Sequence, residues 1–497
     1  MAYTHYDRLS AVDAAFLDIE DHDVHMHVGA VAILEGAALR TEEGAIDIDR
    51  IRAYVDGALH DTPRFRQKLA HVPLLNHPVW IDDARFNLRY HVRHTALPPP
   101  GSDRQLKRLA GRVMSQKLDR GKPMWEMWVV EGLSEGRFAL VMKAHHCMVD
   151  GIAGIDLLAA VLRMEPDAAM PNAGRRWILR NAPSGRRMLV EEIARRAVAP
   201  LTPALGLPTL LKHPAECLQS LRESTGAVVE TILAGLQPTS DTPLNPSIGP
   251  YRRFDWTQTE IADVKRIRSQ FGGKLNDVVL SVVAGAVRQF LVQRGMRVTP
   301  DTVFRVMVPV SIRQVDEKGA PGNRVVNFLA RLPIHVEDPV ERLARTVETT
   351  EQLKRSRLVK GAEVIEELSD RTFASVVVQF VRLGAQARAY NMVVTNVPGP
   401  PVPIYLMGAR MAEIYPLVPL FKQQGLGIAL FSYTGRLCWG FDADWDAVPD
   451  LHDFVKAVET EVERLLSRAK QSAAATTTST REEQRSFGPN GGTAPAP

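Results

Sequence analysis

Cysteine is nearly absent: Cys147, Cys217 and Cys438 are the only three in 497 residues, and no two stand in a Cys-x-x-Cys pair. That spacing argues against a disulfide framework and a thiolate zinc site, and a reducing compartment is expected. An excess of charge of one sign is lacking too. Lys and Arg number 61 against 57 Asp and Glu, a formal net charge of +4. Bulk charge therefore points neither to nucleic acid nor to an acidic partner, and only local clusters can. The opening residues, Met1 to Arg8, show no basic stretch followed by an apolar one, so no secretory signal is expected. No uncharged, proline-free apolar run reaches the length of a bilayer. The longest candidate, Ala197 to Leu211, is broken by Pro200, Pro203 and Pro208. A cytoplasmic protein is expected, one able to lie peripherally against a membrane.

What is present is a folded globular composition, 45% hydrophobic and 24% charged, in a chain too long for one ordinary core. Two domains are expected. Residues 1–165 mix alternating strand-like runs with helical ones, and residues 251–470 return to that mixture. Between them, residues 166–250 form a linker rich in Arg, Pro and Leu. The tail, 471–497, is rich in Ala, Thr, Ser, Gly and Pro and is expected to be disordered.

The chemistry concentrates in His145-His146-Cys147-Met148-Val149-Asp150-Gly151. Arg137 to Ala144 reads as a strand and Ile152 to Met164 as an apolar helix, so the two histidines stand where a strand ends. Imidazole is the natural base for a hydroxyl near neutral pH. Adjacent residues of an extended chain point to opposite faces, so one histidine can do chemistry while the other packs or orients. Two ordinary loop histidines would give the same pattern. For the same geometric reason Cys147 and His146 should not meet as a nucleophile–base pair, and Cys147 is expected to pack. In the second half, Leu275 to Val292 reads as a buried helix and Val303 to Val310 as a buried strand.

Three other patterns are weaker than they look. Gly132-Leu133-Ser134-Glu135-Gly136 matches a nucleophile elbow, but strand-like runs flank it on both sides, which makes it a hairpin turn. Gly272-Gly273-Lys274-Leu275 lacks the upstream Gly and the Ser/Thr of a phosphate loop. The pairs His25/His27 and His91/His94 have no carboxylate or cysteine in ligand spacing, so no metal is expected. A fourth pattern stays open. From Arg175 to Arg196, seven arginines interleave with Trp177, Ile178, Leu179, Met188, Leu189 and Val190. Such a segment suits an anionic membrane interface, or equally a linker helix packed on its own protein.

Taken in order, the residues resemble the bacterial wax ester synthase/diacylglycerol acyltransferase family. The resemblance is carried by Leu9 to Leu17, Pro63 to Leu69, Leu118-Asp119-Arg120, Pro123-Met124-Trp125-Glu126 and the double histidine. In the second half it continues through Asn276-Asp277, Pro309 to Arg313, Gly322-Asn323-Arg324 and Thr395 to Pro400. Met124 stands where the family has Leu, a change that conserves volume. The resemblance implies an α/β fold of mixed sheets: two chloramphenicol-acetyltransferase-like domains with the active-site tunnel between them. It implies acyl transfer from acyl-CoA to diacylglycerol or a long-chain alcohol at a membrane or lipid-inclusion surface, with no cofactor. His146 would be the base, His145 secondary, and Asp150, beside Gly151, structural through a pair with Arg313. Asn276 and Asp277 would face the histidine, Asn276 as an oxyanion donor, and Pro123, Met124 and Trp125 would line the substrate site. The double-histidine run also occurs in carrier-protein-dependent acyltransferases and condensation domains. A lipid-droplet protein that kept the fold without the activity is the non-enzymatic alternative.

Overall fold

The computed structural model describes residues 5–148, 158, 160–167, 170–172, 175–198, 238–311, 325–355 and 388–486. Its first half runs β1 (Asp7–Arg8), α1 (Ala11–Ile19), β2 (His27–Glu35), α2 (Ile48–Ala58), β3 (Gln67–His71), β4 (Pro78–Asp82), α3 (Leu88–His91), β5 (Val92–Ala96), α4 (Asp103–Met114), β6 (Trp125–Glu131), β7 (Arg137–His145) and α5 (Gly185–Val198). The second half runs β8 (Arg252–Glu260), α6 (Ile261–Phe271), α7 (Leu275–Gln293), β9 (Arg305–Ser311), β10 (Val325–Arg331), α8 (Pro339–Arg355), β11 (Met392–Val397), β12 (Tyr405–Leu406), β13 (Ala409–Leu417), β14 (Leu426–Tyr433), β15 (Arg436–Asp444) and α9 (Leu451–Ser486).

Two mixed six-stranded sheets result, in the orders β12-β13-β2-β7-β6-β5 and β10-β9-β11-β14-β15-β8. The hairpin expected at Gly132–Gly136 is there: β6 and β7 pair antiparallel on either side of it. Strand β2 is buried along all but its last residue, which is how a strand covered on both faces reads. The halves are not independent. β13, from beyond residue 400, pairs with β2 from Leu34 to Gly29 and so extends the first sheet.

The expected buried helix is α7. It carries a run of valines that isolated helices disfavour, yet its apolar surface is buried nearly all round. Among the described residues it is the one helix long and apolar enough to cross a membrane, but 72% of that stretch lies inside the protein. Tertiary packing, not local propensity, makes it a helix. The C-terminal tail corrects the expectation of disorder in part. Residues 471–486 continue α9, and Gln270 Nε2 donates to Ser472 Oγ at 2.7 Å. From Gln471 to Phe487 there is neither Gly nor Pro, so nothing in the chain stops the helix before Gly488.

Where α7, α8 and α9 meet, Arg342 and Glu461 form an ion pair with side chains only 1% and 2% exposed. The remaining guanidinium donors reach the carbonyls of Ser281, Val336 and Glu337. The pair sits against Gly285, where an added Cβ would fall 2.4 Å from Glu461 and 2.5 Å from Arg342. Removing Arg342 leaves the buried Glu461 carboxylate with Arg464 alone among the described residues, at 2.6 Å, so Arg342→Met should lower stability by up to roughly 3–5 kcal/mol. The double change Arg342→Met/Glu461→Leu should recover most of that loss. Denaturant unfolding of the three proteins checks it, and equal losses in single and double variants would refute it.

Candidate active site

β2 and β7 pair so that His27 stands opposite His145. His145 is the last residue of β7, and its N–H donates to Met124 O at 2.9 Å. His146 begins a 3-10 turn, its own N–H bonded to Met26 O at 2.7 Å. The two side chains diverge, as the strand end requires. His145 is fully buried, and its Nδ1 accepts the Cys147 N–H at 3.2 Å with the thiol 3.0 Å away. The ring proton of the neutral imidazole therefore sits on Nε2. Cys147 meets His145, not His146, and burial pushes its thiol pKa well up, so it packs as expected.

His146 is half-buried and lies flat on Phe16 of α1, ring centroids 3.9 Å apart. Its Nδ1 has no hydrogen-bond partner among the described residues. Burial pushes its pKa down to about 4, so the ring is a free base at neutral pH. Phe16 also packs on a cluster containing Val24 and Met26 from the first half and Val393, Leu420 and Phe421 from the second. His146 thus stands at the junction of the two halves.

Behind it lies a residue that sequence reasoning missed. The Glu20 side chain is 1% exposed; its Oε2 takes the Arg120 guanidinium at 2.8 and 3.0 Å, with Lys117 at 3.6 Å. Its Oε1 lies 3.7 Å from both His27 Nε2 and His145 Nε2. His25 and His27, weighed from sequence only as metal ligands, belong to this cluster; the rings of His27 and His145 are 6.4 Å apart. No spacing rule marks Glu20, because β2 and β7 meet it only through sheet pairing.

The Pro123-Met124-Trp125 expectation needs correction. Met124 and Trp125 are 0% exposed. The Trp125 indole N–H donates to Phe65 O at 2.7 Å, and its ring stacks on His91 at 4.8 Å. Pairing of β6 with β7 turns this run into sheet interior, so it positions His145 through Met124 O and offers no surface to substrate. The Asn276 and Asp277 side chains part ways. Asp277 is buried and caps α7, accepting the Lys274 N–H at 2.7 Å and the Thr350 hydroxyl at 2.8 Å. Asn276 is exposed, and its Oδ1 accepts from Asn396 Nδ2 at 2.7 Å. Neither contacts His146 among the described residues. Asp150, Gly151 and Arg313 lie outside the described residues, as does most of the helix expected from Ile152.

The arginine-rich stretch divides as well. Trp177 turns inward beneath Arg66 at 5.1 Å, and Met188 packs on Val72 and Val79. Arg180 pairs with Asp82, Arg187 with Glu191 and Arg195 with Glu192. Arg175, Arg176 and Arg186 stay exposed beside Ile178, Leu179, Val190 and Ile193, which are 83%, 40%, 64% and 53% exposed.

The comparisons with known proteins place these two linked mixed sheets, with a neutral, half-buried histidine at their junction, among the acyltransferases. The wax ester synthase/diacylglycerol acyltransferase catalytic-domain model matches residues 9–279, and the corresponding C-terminal-domain model matches residues 321–466. A Mycobacterium tuberculosis protein named as a diacylglycerol O-acyltransferase is 33% identical over 457 residues, 90% of this chain and 87% of its own. A second from that organism, bearing the same enzyme name, is 32% identical over 94% of this chain and 97% of its own. The solved wax ester synthase/diacylglycerol acyltransferase of Marinobacter aquaeolei VT8 superposes with a TM-score of 0.64 at 26% identity, covering 93% of this chain and 100% of its own. A trichothecene 15-O-acetyltransferase from Fusarium sporotrichioides shares the fold, with a TM-score of 0.60 at 12% identity over 93% of this chain and 95% of its own. This chain belongs to the wax ester synthase/diacylglycerol acyltransferase family.

Burial holds His25, His27, His91, His145 and His146 below the ordinary histidine value of 6.5, His91 and His146 at about 4. Their folded pKa values lie under the unfolded one, so between about pH 6.5 and 4 the unfolded chain binds protons that the fold refuses. Stability is complete above pH 6.5 and should be lost as pH falls through that window. Melting temperatures measured from pH 7.5 to 4.5 should decline in this way, and a flat profile would show the cluster to be charged.

Proposed function

We propose that the protein transfers a long-chain acyl group from acyl-CoA to the hydroxyl of diacylglycerol or a long-chain alcohol, with His146 as the general base. The observation that carries this is the neutral imidazole of His146, stacked on Phe16 at the junction of the halves, with an Nδ1 that has no partner among the described residues. The imidazole takes the acceptor's proton as the oxygen attacks the thioester carbonyl, with no acyl-enzyme. The tetrahedral oxyanion collapses, the carbon–sulfur bond breaks, and the leaving thiolate recovers the proton from the imidazolium. The products are an ester and free coenzyme A. Asn276 is the proposed oxyanion donor. Its carbonyl is occupied by Asn396, which leaves its own amide hydrogens to donate, and Asn396 lies on β11, the strand that brings Val393 to the Phe16 cluster. Asp150 is proposed to hold its loop by pairing with Arg313.

His146→Ala should lower turnover by roughly two to four orders of magnitude with the fold intact, and His145→Ala by less. Palmitoyl-CoA assayed with diacylglycerol and with hexadecanol, alongside circular dichroism, decides this. An active His146→Ala protein, or a parent that acylates neither acceptor, would sink the reading.

Both acceptors partition into membranes, so the site needs a lipid surface within reach. The segment carrying Arg175, Arg176, Arg186, Ile178, Leu179, Val190 and Ile193 is the proposed peripheral contact, and the exposure of its cations and apolar side chains alike supports this. Each basic residue near an anionic surface contributes about 1 kcal/mol. Arg175→Gln/Arg176→Gln/Arg186→Gln should weaken flotation with anionic vesicles, and added salt should weaken the parent's. Equal flotation of parent and variant would leave the segment a packed linker.

A further inference from the structure

His146 owes its place to packing more than to hydrogen bonds. Its backbone N–H is held by Met26 O at 2.7 Å, but the ring beyond it is not tied in that way. Nδ1 has no partner among the described residues, and burial is the main influence on the ring's pKa. An imidazole so placed keeps two side-chain torsions that only neighbouring atoms can restrict. Phe16 restricts them. Its ring lies 3.9 Å from the imidazole, centroid to centroid, with 28° between the planes, and so covers one face of the base.

Phe16 is itself held on several sides. α1 starts on Ser10, whose Oγ accepts the Asp13 N–H at 3.1 Å. At the other end the Arg120 guanidinium donates to Leu17 O at 2.6 Å and to the buried Glu20 carboxylate at 2.8 Å. The Glu20 N–H closes the last turn on Phe16 O at 3.3 Å. The Phe16 ring then packs on the cluster that joins Val24 and Met26 of its own half to Val393, Leu420 and Phe421 of the other. Met26 thus serves twice, its carbonyl on the His146 backbone and its side chain in the cluster that holds Phe16. Through this ring the second half bears on the base.

We propose that Phe16 is a positioning residue for the base: its ring fixes the plane of the His146 imidazole, keeps water from that face, and passes the docking of the second half on to the reactive nitrogen. The inference rests on His146 being the base. At rest the aromatic plate favours the neutral ring by excluding water. As the acceptor's proton arrives, the imidazolium forms against the π face of Phe16, a cation–π contact absent from the ground state. An interaction that strengthens only in the transition state raises kcat and leaves KM alone. The charges nearby are already answered. Asp13 of α1 accepts from the Ser10 hydroxyl, Glu20 is paired with Arg120, and Lys422 beside the cluster is exposed. Burial holds His25, His27 and His145 below the ordinary histidine value, so all three are neutral near pH 7. Water admitted by removing the ring is therefore what would move the pKa of His146.

Phe16→Ala should lower kcat at least about tenfold with both acceptors, while KM for palmitoyl-CoA changes little. Its activity should also decline between about pH 7.5 and 5.5, where the parent's holds and circular dichroism finds both proteins folded. Water reaching the ring raises the His146 pKa toward its ordinary value, and only the neutral imidazole accepts the proton. Phe16→Tyr, which keeps the flat ring, should restore most of the loss, and Phe16→Leu carries the same comparison if the Ala protein does not fold. In a His146→Ala background the change at Phe16 should cost nothing further, since no base is left to position. An active His146→Ala protein refutes the base itself. A slow His146→Ala protein beside a Phe16→Ala protein that matches the parent in kcat and pH profile overturns the role of Phe16 alone. Equal losses in both backgrounds make Phe16 a purely structural residue, and a loss confined to KM makes it a wall of the substrate site; either result overturns the proposal.

Discussion

Glu20 is a carboxylate taken almost wholly out of water, and the catalytic end of the first sheet is arranged around it. Arg120 and Lys117 supply its countercharge on one side, while His27 and His145 present their Nε2 atoms on the other. A buried anion is tolerable only when it is surrounded in this way. The arrangement needs His27 opposite His145, hence one register for β2 and β7, and a slip by one residue would put the two rings on opposite faces. With His145 held by Met124 and Cys147, the chain turns sharply and His146 is delivered to the opposite side. Two adjacent histidines thereby acquire unequal surroundings, one locked in the interior and one against Phe16.

The second half completes this site in more than one way. β13 closes onto β2, and residues of β11 and the loop after β13 meet Phe16 and Met26 in one apolar cluster. A groove beside α4 likewise takes its walls from both halves. Neither half holds the environment of His146 by itself.

Much of the layout was legible in the chain. The strand ending at His145, the hairpin at Gly132–Gly136 and the buried helix from Leu275 follow from local pattern, and the structure has all three. The errors have a common cause. Pro123-Met124-Trp125 lies beside the reactive motif and shares its chemistry only indirectly, because strand pairing turned it inward. Trp177 and Met188 leave membrane contact and packing equally open in one dimension, and the structure sets Trp177 under the Arg66 guanidinium and Met188 on Val72 and Val79. The composition of the tail suggested disorder, but without Gly or Pro before Gly488 the helix already begun at Leu451 runs on.

By itself the sequence determined the family and the class of fold and drew attention to an imidazole at a strand end, since an ordered set of short motifs and a strand's last residue are both local properties. Only the tertiary structure decided what surrounds that group. Glu20, His27, His145 and Phe16 come together across as many as 129 positions of chain, from Phe16 to His145, through sheet pairing that no spacing rule encodes. Only the packing of α4 on β8 brings Arg104, Arg108 and Arg112 into one groove with Tyr251 and Trp445. A side chain's burial, and with it its pKa and its access to substrate, depends on what the rest of the chain places against it.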